Sequence, residues 1–322
     1  MKTNEHVLIV HDGPTDYLPG LQERFPDVPF GLCNDGESIP EALARVEPTI
    51  VLSFRSGRFQ GPLHAPIVTA PSVTWLNSGG AGIDHLPHWD TSKITVTNAS
   101  GVASRFMAET VTGAILMMNF GFPQYFEDKQ AKVWDKNEWT SLEDKTALII
   151  GLGSIGTDVA TRLKHFGMTV IGARHSAKPN DAVDEIVTMD NLKSALGRAD
   201  YVCIHVANTP STRHLVNADF LSAMKPTARL INTARGLQVD EEALLNALTT
   251  NKIGGAYLDV FETEPLPQSS PLWDAPNLII SPHVSDSVIG WEYNSAQFFA
   301  DNLERRLTGE PLHNICDPDL GY

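Results

Sequence analysis

Residues 145–174 read KTALIIGLGSIGTDVATRLKHFGMTVIGAR, and this stretch decides the fold. An apolar run, Thr146 to Ile150, passes straight into Gly151-Leu152-Gly153-Ser154-Ile155-Gly156. A segment with helical spacing follows to Phe166, and a second apolar run spans Met168 to Ala173. Strand, glycine-rich turn, helix and strand in that order make the unit that binds a dinucleotide. Gly151 permits the tight turn, Gly153 lets a pyrophosphate approach the backbone, and Gly156 lets helix and strand pack closely. The free N–H groups at the helix start, around Ser154 and Ile155, then face the diphosphate together with the positive end of the helix dipole. Six residues of GxGxxG alone read equally as a glycine-rich turn; the flanking strands make the difference.

The end of the second strand selects the coenzyme. A carboxylate roughly 20 residues on takes the ribose 2′-OH of NAD, and an arginine there accommodates a 2′-phosphate. Here the strand ends Ala173-Arg174-His175-Ser176, with no acid before Asp181. A guanidinium pairs bidentately with phosphate, so this end favours NADP(H), with NAD(H) the second choice. The plain alternative is a solvated surface arginine.

Outward from this core, 322 residues suffice for two domains. The net charge of −15 sets up a field that repels phosphate backbones and anionic membranes, so no nucleic-acid or membrane partner is expected. Any anionic ligand must be held by local donors. Cys33, Cys203 and Cys316 form no CxxC pair, which fits a reducing compartment without a structural metal. The apolar core near the N-terminus is too short for a signal peptide and nothing approaches a membrane span; a cytoplasmic protein is the expectation.

Before the glycine loop, Val7 to Val10, Pro48 to Phe54, Val73 to Leu76 and Ile94 to Thr97 read as strands, with a helix over Ile39 to Val46. Alternation of strands and helices implies a parallel sheet, so residues 1–99 form a first, smaller α/β domain. Asn77 to Asp84 is a glycine-rich turn whose small residues either aim N–H groups at an anion or merely turn the chain. Residues 102–120 read as a long helix with little charge in its second half, suited to burial between domains or subunits rather than to solvent. The aromatic stretch to Asp144 (Tyr125, Phe126, Trp134, Trp139) suits a subunit interface or packing on its own chain.

After it, strands over Tyr201 to Val206, Arg229 to Thr233, Gly255 to Val260 and Asn277 to Ser281 precede a last helix, about Ile289 to Leu307. Parallel strands deliver their C-terminal ends to one edge, where ligands bind. Three of these ends carry Arg235, Glu264 and His283. An arginine can hold a 2-keto acid and polarise its carbonyl; a histidine titrates near neutrality and can protonate the oxygen; a carboxylate on its other ring nitrogen raises its pKa. From the residues alone Glu262 competes with Glu264.

With these motifs on view, the chain resembles the NAD(P)-dependent D-2-hydroxyacid dehydrogenase family over almost its whole length. The resemblance rests on GLGSIG (151–156), HVANTPSTRHLVN (205–217), INTARG (231–236), LDVFETEP (258–265) and SPHVS (281–285). It implies Arg235, Glu264 and His283 as catalytic residues, Ala81 and Gly82 as backbone donors to the substrate carboxylate, and Thr209, Thr233, Ala234 and Asp259 along the cofactor. It implies a Rossmann-type dinucleotide domain, 100–286, with a dimerisation arm at about 102–144. A flavodoxin-like catalytic domain is discontinuous, 1–99 plus 287–322. The implied activity is reduction of a small 2-keto acid, such as glyoxylate or hydroxypyruvate, to the D alcohol by a homodimer of the glyoxylate/hydroxypyruvate reductase branch. Family members that use NAD carry Asp where Arg174 stands; Ala207 and Ser285-Asp286 also depart from the pattern. Arg55, at the end of a strand, admits a substrate-binding role or a bland surface one. Corepressors of the same fold that sense dinucleotide are the alternative class, and formate dehydrogenases carry Gln where Glu264 stands.

Overall fold

The computed structural model describes residues 4–13, 16–34, 36–55, 58–136, 138–176 and 178–321. The chain divides into two compact units, Met1–Val102 with Ile289–Tyr322, and Ala103–Val288.

The first unit is built on five parallel strands: β1 (Val7–Val10), β2 (Phe30–Cys33), β3 (Ile50–Ser53), β4 (Trp75–Ser78) and β5 (Thr95–Asn98). Their order, β2-β1-β3-β4-β5, is that of flavodoxin-like sheets. β2 escapes a reading by apolar runs because FGLC is an edge strand buried only at Cys33. The helix Ile39–Val46 starts where the Ser38 hydroxyl accepts from the Glu41 N–H and the Glu41 carboxylate accepts from the Ser38 N–H, a reciprocal cap. One face of the sheet is covered by the helix Trp291–Thr308, whose Ala296, Phe299, Ala300 and Leu303 pack on Val7, Ile9, Leu52 and Trp75. The final segment thus belongs to the first unit.

Seven parallel strands form the second unit: β6 (Thr146–Ile150), β7 (Thr169–Arg174), β8 (Glu185–Thr188), β9 (Tyr201–Ile204), β10 (Arg229–Asn232), β11 (Gly255–Leu258) and β12 (Leu278–Ile280). They run in the order β12-β11-β10-β9-β6-β7-β8. β6 and β9 are neighbours, so the order reverses between them, and ligands bind beyond the C-terminal strand ends at such a point. β8 went unread because EIVT is short, at the edge, and buried only at Val187.

The helix Ser104–Phe120 is buried along one face, as its low charge predicts. It lies within this unit, with Ala108, Val111, Ala114 and Ile115 packed among Val159, Ala160 and Leu163 of the helix Ser154–His165. Small side chains at helical spacing let the two backbones approach, which explains the missing charge. A further helix, Phe122–Ala131, has no buried residue and leaves Phe122 and Phe126 exposed, as are Trp134 and Trp139 beyond it. No helix among the described residues is long and apolar enough to cross a membrane.

Leu148 lies in the centre of β6 with no exposed surface. Leu148→Ala is expected to cost about 2–5 kcal/mol, seen in urea unfolding as a lower midpoint at unchanged slope.

Candidate active site

Gly151 sits at φ 97°, and a Cβ there would lie 2.4 Å from the His205 carbonyl oxygen. At Gly156 the corresponding contact would be 1.9 Å, to the Gly151 carbonyl. Neither position tolerates a side chain, whereas a Cβ on Gly153 would meet open space. The helix that follows has Gly153 as its N-cap with no side-chain cap. The first-turn N–H groups, around Ser154 and Ile155, are therefore left for an anion. β7 ends at half-buried Arg174, with His175 and Ser176 exposed beyond it. The Arg174 side chain makes no hydrogen bond or ion pair among the described residues.

Two groups on the same rim lack partners. The buried Thr233 hydroxyl has no hydrogen bond, nor has either buried ring nitrogen of His205, just past β9. Burial pushes the His205 pKa down to about 4, so the ring is neutral. Thr209 shares its hydroxyl with Ser211 and Thr212. An orphaned hydroxyl, a side-chain-free turn and an uncapped helix start together fit a dinucleotide.

Arg235, Glu264 and His283 are brought together beside this cradle. β10 ends at buried Asn232, whose amide donates to the Arg235 carbonyl (2.9 Å) and accepts from the Ala234 N–H (3.0 Å). The Gln238 side chain accepts from the Arg235 N–H (3.2 Å) and donates to the Val206 carbonyl (2.6 Å), tying this loop to the end of β9. A Cβ on Gly236 would lie 1.8 Å from the Phe261 carbonyl carbon. The glycine after Arg235 is what lets the Glu264 loop pass so close.

Glu264 Oε2 lies 2.7 Å from His283 Nδ1, and its Oε1 accepts from the Phe261 N–H at 2.9 Å. Glu262 turns elsewhere: its carboxylate pairs with His214 at 3.0 Å. The hydrogen bond to Glu264 lifts the His283 pKa above its ordinary value, against burial and the charge of Arg235. Burial works to raise Glu264, but the bonds from His283 and Phe261, with the charges of His283 and Arg235, outweigh it and hold the carboxyl low. The contact at Nδ1 thus favours the protonated imidazole and leaves Nε2 outside this pair.

His283 sits at φ 52°, a left-handed conformation that non-glycine residues hold only when their surroundings impose it. Asp259 imposes it. Its fully buried carboxylate accepts from the Ser281 hydroxyl (2.5 Å) and from the Val284 and Ser285 N–H groups (2.9 and 3.0 Å). Its carbonyl takes the His283 N–H at 2.8 Å. Asp259, read from the resemblance as a cofactor contact, also holds the histidine loop. His205, Asn232 and Ser281 lie inside the quoted motifs without a role of their own there, and Gln238 lies outside them.

In the first unit, the turn after β4 is organised by its carbonyls. Those of Gly79, Gly80 and Ala81 accept from the Ser295 hydroxyl (2.7 Å), the Ala99 N–H (3.1 Å) and the Asn98 amide (2.7 Å). In a trans peptide each N–H points opposite the preceding carbonyl. The N–H groups of Gly80, Ala81 and Gly82 therefore face away from these anchors, and none donates to another described residue. These N–H groups are therefore available to an outside acceptor such as an anion. Arg55 lies two residues beyond β3; the register Ser53↔Ser78, carried on, sets it level with Gly80. It is exposed and makes no ion pair among the described residues.

The sequence profile of the family described as D-isomer specific 2-hydroxyacid dehydrogenase, NAD binding domain, matches residues 112–285. Glyoxylate/hydroxypyruvate reductase B of Yersinia pestis is 31% identical over 317 residues, 95% of each chain. D-3-phosphoglycerate dehydrogenase of Methanocaldococcus jannaschii is 33% identical over 86% of this chain and 53% of its own length, so the chain spans about half of that relative. Among solved structures, the NADPH-dependent glyoxylate/hydroxypyruvate reductase of Sinorhizobium meliloti, in complex with NADP and sulfate, superposes with a TM-score of 0.83 at 26% identity, covering 99% of this chain and 100% of that one.

The ion pair stabilises the fold between the lowered midpoint of Glu264 and the raised midpoint of His283, and is lost beyond either. An NMR titration of the imidazole is expected to place the His283 midpoint above about 6.5, and Glu264→Gln to lower it. An unchanged midpoint in the variant would remove Glu264 from this role.

Proposed function

The chain belongs to the D-isomer specific 2-hydroxyacid dehydrogenase family and is an NAD(P)-dependent enzyme of that class, and from that premise we propose that it reduces a small 2-keto acid, glyoxylate, hydroxypyruvate or a close relative, to the D-2-hydroxy acid with NADPH. The observation that carries the reading is the contact of His283 with Glu264 beside Arg235.

The bound coenzyme supplies the hydride. Arg235, permanently charged, draws electron density toward the carbonyl oxygen and holds the acid in register. His283 donates the proton from Nε2 to that oxygen, and Glu264 stabilises the imidazolium beforehand. In the reverse direction a neutral His283 takes the proton back. Asp259 acts through the loop it clamps. The N–H groups of Ala81 and Gly82, with that of Gly80, are the carboxylate donors of this reading, and Arg55 is its contact for a second anionic or polar group.

For the coenzyme, Gly151, Gly153, Ser154, Ile155 and Gly156 take the diphosphate, and Thr209, Thr233 and Ala234 line its path. Arg174, with His175 and Ser176, takes the 2′-phosphate, a role supported by its lack of any other partner among the described residues and by the NADP in the Sinorhizobium relative. The exposed aromatics Phe122, Phe126, Trp134 and Trp139 support a homodimer. Three buried, unpaired cysteines suit the cytoplasm.

Loss of NADPH absorbance with glyoxylate, hydroxypyruvate and dicarboxylic 2-keto acids tests the activity; no turnover of any would refute it. His283→Ala is expected to lower kcat by about 10²–10⁴-fold. In wild type kcat/KM for reduction falls as pH climbs through the raised midpoint of His283, and Glu264→Gln moves that fall to lower pH. Arg174→Asp is expected to lower kcat/KM for NADPH by about tenfold or more while sparing NADH; equal losses for both would contradict the coenzyme assignment. Arg55→Ala is expected to lower kcat/KM for dicarboxylic acids relative to glyoxylate, and an unchanged ratio would return Arg55 to the surface.

A further inference from the structure

The turn that follows β4 reads Gly79-Gly80-Ala81-Gly82. Glycine carries almost no backbone preference of its own, so nothing inside this sequence fixes where the N–H groups of this turn head. The heading comes from behind. Each peptide plane is rigid, and the three planes are fixed by what their carbonyls meet: the Ser295 hydroxyl, the Ala99 N–H and the Asn98 side-chain amide. Two of those three anchors are side chains, and neither is part of the turn.

Ser295 stands on the helix Trp291–Thr308 with no exposed surface. Its hydroxyl crosses 216 residues of sequence to reach the Gly79 carbonyl. Asn98, the last residue of β5, is itself held by the same return segment. Its N–H donates to the Asn314 carbonyl at 3.2 Å, and Asn314 donates from its own amide to the Asn98 and Ser100 carbonyls at 3.1 and 2.7 Å. Gly79 has no alternative seat, because a Cβ there would lie 2.3 Å from the Phe54 ring.

We propose that Ser295 and Asn98 are positioning residues for substrate binding: through the carbonyls of Gly79 and Ala81 they aim the N–H groups of Gly80 and Gly82 at the substrate carboxylate. The proposal rests on the 2-keto acid reading given above. The C-terminal segment is then a working part of the acid-binding site without touching the acid. Removing the Ser295 hydroxyl frees the Gly79–Gly80 plane to turn, which costs carboxylate affinity and leaves proton and hydride chemistry intact.

The test compares full-length wild type with Ser295→Ala, Ser295→Thr and Asn98→Ala, measuring KM for glyoxylate, KM for NADPH, kcat, and the dissociation constant of oxalate by calorimetry in the presence of NADPH. Ser295→Ala is expected to weaken glyoxylate KM and oxalate binding together by about tenfold, the effect of one hydrogen bond. NADPH KM should stay constant and kcat within about twofold, and Ser295→Thr, which keeps the hydroxyl, should recover affinity. Asn98→Ala should show the same split, and it decides the matter if Ser295→Ala does not fold. A folded variant with unchanged glyoxylate KM and oxalate affinity overturns the proposal, as does a loss shared equally by NADPH KM and kcat. If wild type reduces no 2-keto acid, the functional reading fails by itself; weaker oxalate binding in the variants still supports the anchoring, and equal binding removes it.

Discussion

Parallel strand pairing is the constraint from which the rest of the molecule follows. Because every strand in each sheet runs the same way, every loop after a strand leaves from the same rim. Residues as far apart in sequence as Gly151, Arg235 and His283 thereby come to lie along one rim with only short connections between strand and functional group. The rim is also where backbone leaves the ladder, so polar groups there need new partners. Buried polar side chains at the strand ends supply them. Asn232 clamps the Arg235 loop, Asp259 clamps the His283 loop, and Asn98 clamps the turn after β4. Each serves as structural cement and sets the angle of a functional group.

The charge distribution follows a similar economy. A chain of net charge −15 must attract an anionic acid and an anionic coenzyme, and it does so with few cations. On the proposed reading, Arg235 and His283 in the second unit and backbone N–H groups in each unit are the local donors. The contact between His283 and Glu264 leaves both side chains about one-third exposed, so it contributes little to stability. Its effect is on protonation: a bond at Nδ1 fixes which nitrogen is free and keeps the ring charged over a wider pH range.

The sequence made the dinucleotide unit legible because strand, GxGxxG and strand sit within 30 contiguous residues, and glycines at fixed offsets have a single steric explanation. The residues of the candidate site are legible as types at strand ends, and the choice between Glu262 and Glu264 comes from resemblance, since both lie in one loop and no periodicity separates them. Edge strands β2 and β8 were not legible: they are short and half-buried, and a run of four mixed residues carries no period. The helix Ser104–Phe120 is legible as a buried helix, but its packing partner within the second unit is not. Low charge says that a face is buried, and only the spacing of Ala108, Val111 and Ala114 against a neighbouring helix says by what. Asp259 and Ser295 were opaque for a further reason, because their roles are bonds to backbone atoms, which leave no pattern in side-chain identity.

The two proposed anion sites of this chain show why backbone contacts decide so much. At the Gly151 loop a helix of 12 residues follows immediately, and a helix aligns its own first N–H groups, so the loop needs only glycines at the points of closest approach. After β4 no helix follows. Gly79 to Gly82 lead into further irregular chain, and the same task falls to groups brought from elsewhere: a strand-end asparagine, a neighbouring backbone N–H and a serine on the last helix. That difference gives a physical reason for the chain to return to its first unit after completing the second. A glycine-rich turn without a helix is only as well aimed as its carbonyls are held, and the residues that hold them arrive last in the sequence.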